Sequence, residues 1–573
     1  MKNRIHILLL LIWLVIGSSL RFARLASLPP WTDECATIVF SLGHSFHTVP
    51  LNQVISSDTL LQPLLLTPVA GISDVIERLF DESTHPPLYF ILTHLWMKFP
   101  SNPGEIASIW LARSLSAFLG VASIPAMFGF GYLAFRSKLI AQIAAAMIAV
   151  SPYTIFLGRD ARHYTLVILL VIASLSCLIK AIETMHHQKP LPFWVGLFWP
   201  ITNILGVATH YFFALTLCAQ GLVLLGYVLH NIRKAKINKL ALIQHYFSSI
   251  GLVAIASFAG CLIWLPMVQS VYGSEPTSWV VDSRNGNFLT PIGRLCLWVI
   301  SIFSLLPSAP SILPIWVIVV SGIGTLLFLV WVIPYLIYSL KVLYKSNSSL
   351  STQILTRYII AAIALFLFCT YILNIDLTLA ARFIFVFAPA VILLVSALLA
   401  VSWERLKKLT KNGKFAFTIV WLIAFIGGVT VVWNLGYLQN QRPDLLASII
   451  HQKSQVPVLI ATTHKHHGQT GRMMGLAWEF KHLYAADSKS DWQFFLAQRD
   501  EKTKNYTDSL EDLQKSINQI PRPVDLWLVN FRSSVNLESK QCFPDKKYRS
   551  RIGEYSYKLY HCQGNGASET INN

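Results

Sequence analysis

Residues Ser311–Leu340 read SILPIWVIVVSGIGTLLFLVWVIPYLIYSL, a stretch without one charged side chain. A helix of that length outreaches the ~30 Å of hydrocarbon in a bilayer. Lipid offers an open backbone no hydrogen-bond partner, so the stretch can only be a membrane-crossing helix. Runs of the same kind lie on both sides of it. Together they fall at 5–24, 107–134, 139–157, 165–184, 193–209, 211–230, 248–270, 311–340, 356–374, 383–402 and 415–434, about eleven spans joined by polar turns. Composition agrees: 54% of the 573 residues are hydrophobic and 13% are charged, which excludes a soluble globular protein of this size.

Residues 5–20 follow Lys2 and Arg4 and have the outline of a secretion signal, but Ser18-Ser19-Leu20 runs into Arg21 with no small-residue cleavage site. They are read as the first span. Basic turns at 135–138, 233–239, 341–345 and 404–414 alternate consistently if the N-terminus is cytoplasmic. An odd span count then puts the loop 25–106 and the tail outside, in a multi-pass protein of the plasma (inner) membrane. Much of the net charge of +18 sits in those inner turns, and no groove-reading motif accompanies it, so nucleic acid is not a partner.

Two regions follow: a membrane domain, 1–435, carrying the large outer loop 25–106, and a polar tail, 436–573. Within the tail, PVLIAT (Pro457–Thr462) and VDLWLVN (Val524–Asn530) read as buried strands separated by helix-forming segments, which predicts a small α/β domain outside the membrane. Six of the eight cysteines lie in or beside apolar segments. Cys542 and Cys562 bracket a strand-like stretch and can pair in an oxidising compartment, or remain two thiols. The final residues, 564–573, are expected to be disordered.

Ionisable groups at the ends of spans are the natural functional candidates, because holding them near an apolar body is costly. Four clusters fall on the outer side. Pro29-Pro30-Trp31-Thr32-Asp33-Glu34 offers a carboxylate pair that suits general-base work, or equally a helix cap or a solvated turn. Asp81-Glu82-Ser83-Thr84-His85-Pro86-Pro87-Leu88-Tyr89-Phe90 leads into 91–99, too short to span, which predicts an amphipathic helix at the interface bearing His94 and Lys98. His85 before that helix is placed for a phosphate, although the prolines also serve simply to end one segment and begin another. Gly158-Arg159-Asp160-Ala161-Arg162-His163-Tyr164 gathers cations, a carboxylate and a phenol, either to grip phosphate with a guanidinium fork or to snorkel. His210 and Arg382 complete the set. His464, His466 and His467 are crowded but lack partners spaced as a zinc site requires, so a solvated loop is expected and no metal. No phosphate-binding loop or dinucleotide fingerprint is present, and no cofactor is expected.

These motifs, in this order, resemble the GT-C class of membrane glycosyltransferases. Within it they are similar to the bacterial relatives of protein O-mannosyltransferases and of the aminoarabinose transferases that modify lipid A, the family-39-like enzymes. The resemblance rests on Trp31-Thr32-Asp33-Glu34, His85-Pro86-Pro87-Leu88-Tyr89-Phe90 and Arg162-His163-Tyr164-Thr165-Leu166, and covers about residues 5–400. It implies a cavity open to the outer face and a sugar donor on a polyprenyl phosphate. Asp33 would be the catalytic base and Glu34 the neighbour shaping the pocket. His85, Arg162 and Arg382 would hold the donor phosphate, with Asp160, Tyr164 and His210 lining the site. Where some relatives carry a Lys before the first proline this chain has His85, so grip there should depend on pH. The closer relatives need no metal.

The partners so implied are the polyprenyl-phosphate sugar donor, membrane lipids, and an acceptor that is a lipid, a glycan or a protein. Acceptor choice is assigned by position to the 271–292 loop and the tail, with Trp279, Asp282, Arg284 and Trp478. A polytopic lipid or sugar transporter is the competing reading. Transporters keep ionisable groups at the midplane of broken helices, often in repeated halves, and neither is evident in the sequence.

Overall fold

The computed structural model describes residues 2–67, 70–98, 104–234, 239–271, 278–281, 287–346, 349–405, 413–484, 492–500, 502–534 and 536–563. Asp282, Arg284 and the last residues, 564–573, lie outside the described residues. By compactness the chain divides into two units. The membrane unit comprises 1–25, 84–89 and 113–438; the loop–tail unit comprises 26–83, 90–112 and 439–573.

Among the described residues seven helices are long and apolar enough to cross a bilayer: Arg4–Phe22, Ile109–Phe135, Tyr164–His186, Phe213–Lys234, Ile315–Tyr344, Ser349–Tyr371 and Lys414–Val432. Shorter apolar helices at Phe193–Thr209, Ile250–Leu262 and Ala388–Trp403 occupy three more of the expected segments. The fold is therefore a polytopic α-helical membrane protein. The segment 139–157, expected as one straight span, is instead two helices, Lys138–Val150 and Pro152–Gly158, bent by 56°.

The bend has a local cause. Pro152 has no N–H to give the carbonyl of Ile148, which a continuous helix would require. Arg21, at the end of helix α1 (Lys2–Phe22) and fully buried, supplies the missing donors. Its guanidinium donates to the Ile148 carbonyl at 3.1 Å, to the Ala149 carbonyl at 3.0 Å and to Thr154 Oγ1 at 3.1 Å. A charge buried among apolar helices is tolerated here because both terminal nitrogens of the guanidinium are hydrogen-bonded, to the carbonyls of Gly17, Ile148 and Ala149 and to Thr154 Oγ1. A second unforeseen element is the short helix Thr290–Ile300, whose Arg294 pairs with Asp376.

The loop–tail unit is built on one six-stranded sheet in the order β1-β3-β2-β4-β6-β5. Its strands are β1 (Val54–Ser56), β2 (Val458–His464), β3 (Trp492–Gln498), β4 (Val524–Val529), β5 (Cys542–Ile552) and β6 (Tyr555–Cys562). The two strands expected from sequence are β2 and β4, the buried central pair, which run parallel. Helix Thr507–Gln519 lays Leu513 and Ile517 on one face, over Leu459, Leu526 and Leu528. Cys542 and Cys562 sit opposite each other on the β5–β6 hairpin and form a disulfide. The edge strand β1 comes from the loop and pairs antiparallel with β3, so loop and tail share a sheet.

Candidate active site

In the membrane unit the sequence motifs at 85, 162–164, 210 and 382 converge. Arg162 is 1% exposed and its Nη2 lies 2.8 Å from His85 Nε2. The residue is fixed through its backbone: Ser116 Oγ donates to the Arg162 carbonyl at 2.7 Å, and Tyr89 OH and Ser116 Oγ are 2.6 Å apart. Asp160 is buried and contributes its carbonyl, which accepts from the Arg162 N–H at 2.7 Å in the tight turn that starts helix Tyr164–His186. The Arg162 guanidinium lies 5.9 Å from the Tyr164 ring centre. Arg159 turns away to donate to the carbonyls of Leu20, Arg21, Ala23 and Arg24, closing the end of α1, so this cation of the motif is structural.

His163 lies at the centre of the cluster, a position the sequence motif contained without marking. Its ring is 5.7 Å from His85, 4.5 Å from Tyr164, 4.8 Å from His210 and 6.1 Å from Tyr89. Arg162 and Arg382 both act electrostatically on His163 and on His210. Arg382 begins an irregular turn, and its carbonyl accepts from Tyr153 OH at 3.1 Å. Its guanidinium is 5.8 Å from both the Trp279 and Phe383 rings. Trp279, expected to select acceptor, thus belongs to the cation cluster through Arg382. Two guanidiniums and three imidazoles drawn together among aromatic rings form a place where an anion is favoured.

In the loop–tail unit the carboxylate pair opens helix α2 (Thr32–Ser41). Glu34, three residues past the N-terminal cap, is 1% exposed and accepts from the Trp31 backbone N–H at 3.4 Å, so it steadies the helix start. Asp33 is half-buried on the first turn, and its carbonyl accepts from Thr37 Oγ1 at 2.9 Å. The helix ends where Gly43 takes φ +73°, with the Gly43 N–H donating to the Phe40 carbonyl and the His44 N–H to the Val39 carbonyl, each at 3.0 Å. His94, expected on the polar face of an interfacial helix, is buried, and its Nδ1 lies 2.7 Å from the Ser41 carbonyl oxygen. That helix, Leu88–Met97, is therefore drawn into packing at this end of α2.

Residues of the tail brace α2, and no sequence spacing could reveal them. Gln441 Oε1 accepts from the Thr32 hydroxyl and, at 3.3 Å, from its N–H. Helix His467–Leu483 presents Gly471 and Gly475, one turn apart; a Cβ on the first would lie 3.1 Å from the Thr32 carbonyl and on the second 2.6 Å from the Pro30 carbonyl. At 475 only glycine allows this approach, and at 471 any larger residue would be tight. His464, His466 and His467, expected as a solvated loop, are half-buried at that helix's N-terminus. The His467 ring stacks on Phe46 at 5.2 Å and meets Phe40 edge-on at 5.7 Å. Burial and the neighbouring His466 and His464 push His467 down to about 3, with the Asp33 charge opposing. It stands as a neutral ring near that carboxylate. Among the described residues no three His, Cys, Asp or Glu side chains are grouped to hold a metal.

Apolar crossing helices, one of them broken, together with a mixed-sheet unit shared between loop and tail, define the GT-C type of fold. In particular the chain is similar to ArnT from Cupriavidus metallidurans. The crystal structure of that protein in the apo state aligns with a TM-score of 0.51 at 12% identity, covering 98% of both chains. The same protein bound to undecaprenyl phosphate aligns at 0.50, also at 12% identity and 98% of both. At this identity the likeness is one of fold. No protein-family model and no curated protein sequence matches the chain.

Proposed function

We propose that this protein is a membrane glycosyltransferase that takes a hexosyl or pentosyl group from a polyprenyl-phosphate donor at the outer face of the membrane. The observation that carries the reading is the cluster of His85, Arg162, His163, His210 and Arg382, buried at Arg162 and His163 and half-buried at the other three, set at the ends of apolar helices where a lipid-borne phosphate would arrive from the bilayer side. The fold shared with a protein crystallised with undecaprenyl phosphate supports it. The domain roles follow: residues 1–435 handle the donor, and 436–573, outside the membrane, serves the acceptor.

The reaction is a single displacement. An acceptor hydroxyl oxygen forms its bond to the anomeric carbon as the bond from that carbon to the phosphate oxygen breaks, and the electron pair leaves with polyprenyl phosphate. Asp33 takes the hydroxyl proton, worth about 10²–10⁴ in rate for a positioned base. His85, Arg162 and Arg382 stabilise the negative charge growing on the leaving phosphate. Because phosphate departs without protonation, a second acid is unnecessary and the configuration at carbon inverts. Glu34 keeps the helix that carries Asp33 in shape; Asp160, Tyr164 and His210 line the donor side.

Purified protein in nanodiscs, given a panel of polyprenyl-phosphate sugars, tests this directly. Release of polyprenyl phosphate that Asp33→Asn abolishes while donor binding persists is the expected result. Normal turnover by Asp33→Asn would sink the base assignment, and a panel neither bound nor turned over would favour transport of lipid or sugar.

A further inference from the structure

The outer hairpin of the loop–tail sheet contains an electrostatic arrangement that folding alone does not explain. Arg549 on β5 and Lys558 on β6 are directly opposed in register, and Lys558 in turn opposes Leu528 on β4. The three side chains therefore form one row on one face of the sheet. Like charges in opposed positions destabilise a strand pair. Among the described residues neither cation has an ion-pair or hydrogen-bond partner. Two positions along the face, Arg551 opposes Ser556 and adds a third cation. The neighbouring acids are engaged elsewhere: Asp525 of β4 and Asp545 of β5 flank His561 on the opposite face, with His561 Nδ1 2.7 Å from Asp525 and Nε2 3.4 Å from Asp545, and Glu554 at the hairpin turn pairs with Arg472 at 3.6 Å.

The row is also part of a concavity. A cleft of about 300 Å³ is formed where the chain leaving β4 passes this face, lined by Arg549 and Lys558, the hydroxyls of Ser533 and Ser534, and the rings of Phe531 and Tyr560. Tyr560 and Phe531 are half-buried, resting on the apolar layer of Leu526 and Leu528, so the ring surface is held in place. Cations beside serines and an aromatic wall match a ring molecule with an apolar face, several hydroxyls and an acidic substituent. The volume suits one or two such rings, at the low end of ligand-site sizes.

We propose that this cleft is a binding site for an anionic saccharide, a sugar carrying carboxylate or phosphate, gripped by Arg549 and Lys558. Binding stands on the cleft itself; that the saccharide held there is part of the acceptor rests on the transferase reading above. A separate subsite on the tail would let the protein hold a charged glycan by a residue other than the one receiving the sugar.

The test is a binding titration, independent of turnover, on the full chain in phosphatidylcholine nanodiscs. The probes are trigalacturonate and a phosphorylated glucosamine disaccharide, against neutral chitotriose. Wild-type protein should bind at least one anionic probe about tenfold or more tightly than chitotriose. The double variant Arg549→Ala/Lys558→Ala should lose that preference, and Lys502→Ala/Lys504→Ala, which removes two exposed lysines of the same unit, should keep it. Thermal unfolding guards against misfolding: relieving an opposed like-charge pair should leave the transition unchanged or raise it. Equal binding of charged and neutral sugars, an unchanged preference in the double variant, or an equal loss in the lysine control overturns the site. So does a result in which Arg549 and Lys558 govern attachment of phosphatidylglycerol vesicles while neither saccharide binds.

Discussion

The cation cluster and the carboxylate helix solve opposite problems. Arg162 and its imidazole neighbours are assembled from helix ends of the membrane unit, with Arg162 fixed through its carbonyl on Ser116 and the rings packed against one another. Asp33 rides on one ten-residue helix whose start is held from outside by Gln441 and by the glycine face of helix His467–Leu483. The buried cation of the cluster is held locally, by its backbone on Ser116 and its guanidinium on His85. Asp33, the proposed base, is mounted on an element whose position depends on distant chain.

That contrast can be broken in several ways. Asp33→Asn should have the largest effect, a loss of turnover of about 10²–10⁴-fold with donor affinity retained, read as polyprenyl phosphate release beside a donor-binding isotherm. Arg21→Leu comes next. It removes the Arg21 donor from the buried Ala149 carbonyl, leaves the Ile148 carbonyl only the Thr154 hydroxyl, and should cost about 1–3 kcal/mol, seen as a lower unfolding temperature in detergent. Arg162→Ala should weaken polyprenyl phosphate binding by about 10–100-fold, the worth of a charge-assisted contact. If it lowered turnover without touching donor affinity, the division of labour would be wrong.

Smaller effects sharpen the picture from the tail. Gly475→Ala sets a methyl against the Pro30 carbonyl, and overpacking of this kind costs about 1–3 kcal/mol. It should lower turnover with donor affinity unchanged, because only the carboxylate helix is disturbed. The smallest prediction concerns pH. Burial and the nearby Asp444 raise the Glu479 carboxyl from 4.5 to about 7, with Arg442 opposing. A carboxyl that holds its proton more tightly when folded stabilises the fold fully below its unfolded value, and that share is lost as pH climbs from about 4.5 through about 7. Glu479→Gln should flatten this part of the stability profile, measured by thermal unfolding across the range.

The spans were legible because a run such as Ser311–Leu340 has one physical solution in lipid. His85, Arg162 and Arg382 were legible because charge beside an apolar run is rare enough to notice. The break at Pro152 was not: proline is common in membrane helices, and what fixes this bend is Arg21, well over a hundred residues away. Gln441 and the glycines at 471 and 475 gave no signal for a similar reason, since their meaning lies in contacts with residues 30–35. β1 is three residues long, too short for alternation to register, and exists because β3 offers it an edge. The histidines at 464–467 misled because a polar composition suggests solvent, whereas Phe40 and Phe46 take the His467 ring into packing.

That shared sheet edge has a consequence for biogenesis. Val54–Ser56 must wait for Trp492–Gln498, which the ribosome delivers more than four hundred residues later. At 5–20 residues per second the delay is roughly 20–90 s. Through most of that interval the helix bearing Asp33 has neither its glycine bed nor its Gln441 latch. The chain therefore emerges with its membrane helices made before the braces of α2, and that helix takes its final setting only once residues 441–498 have been made.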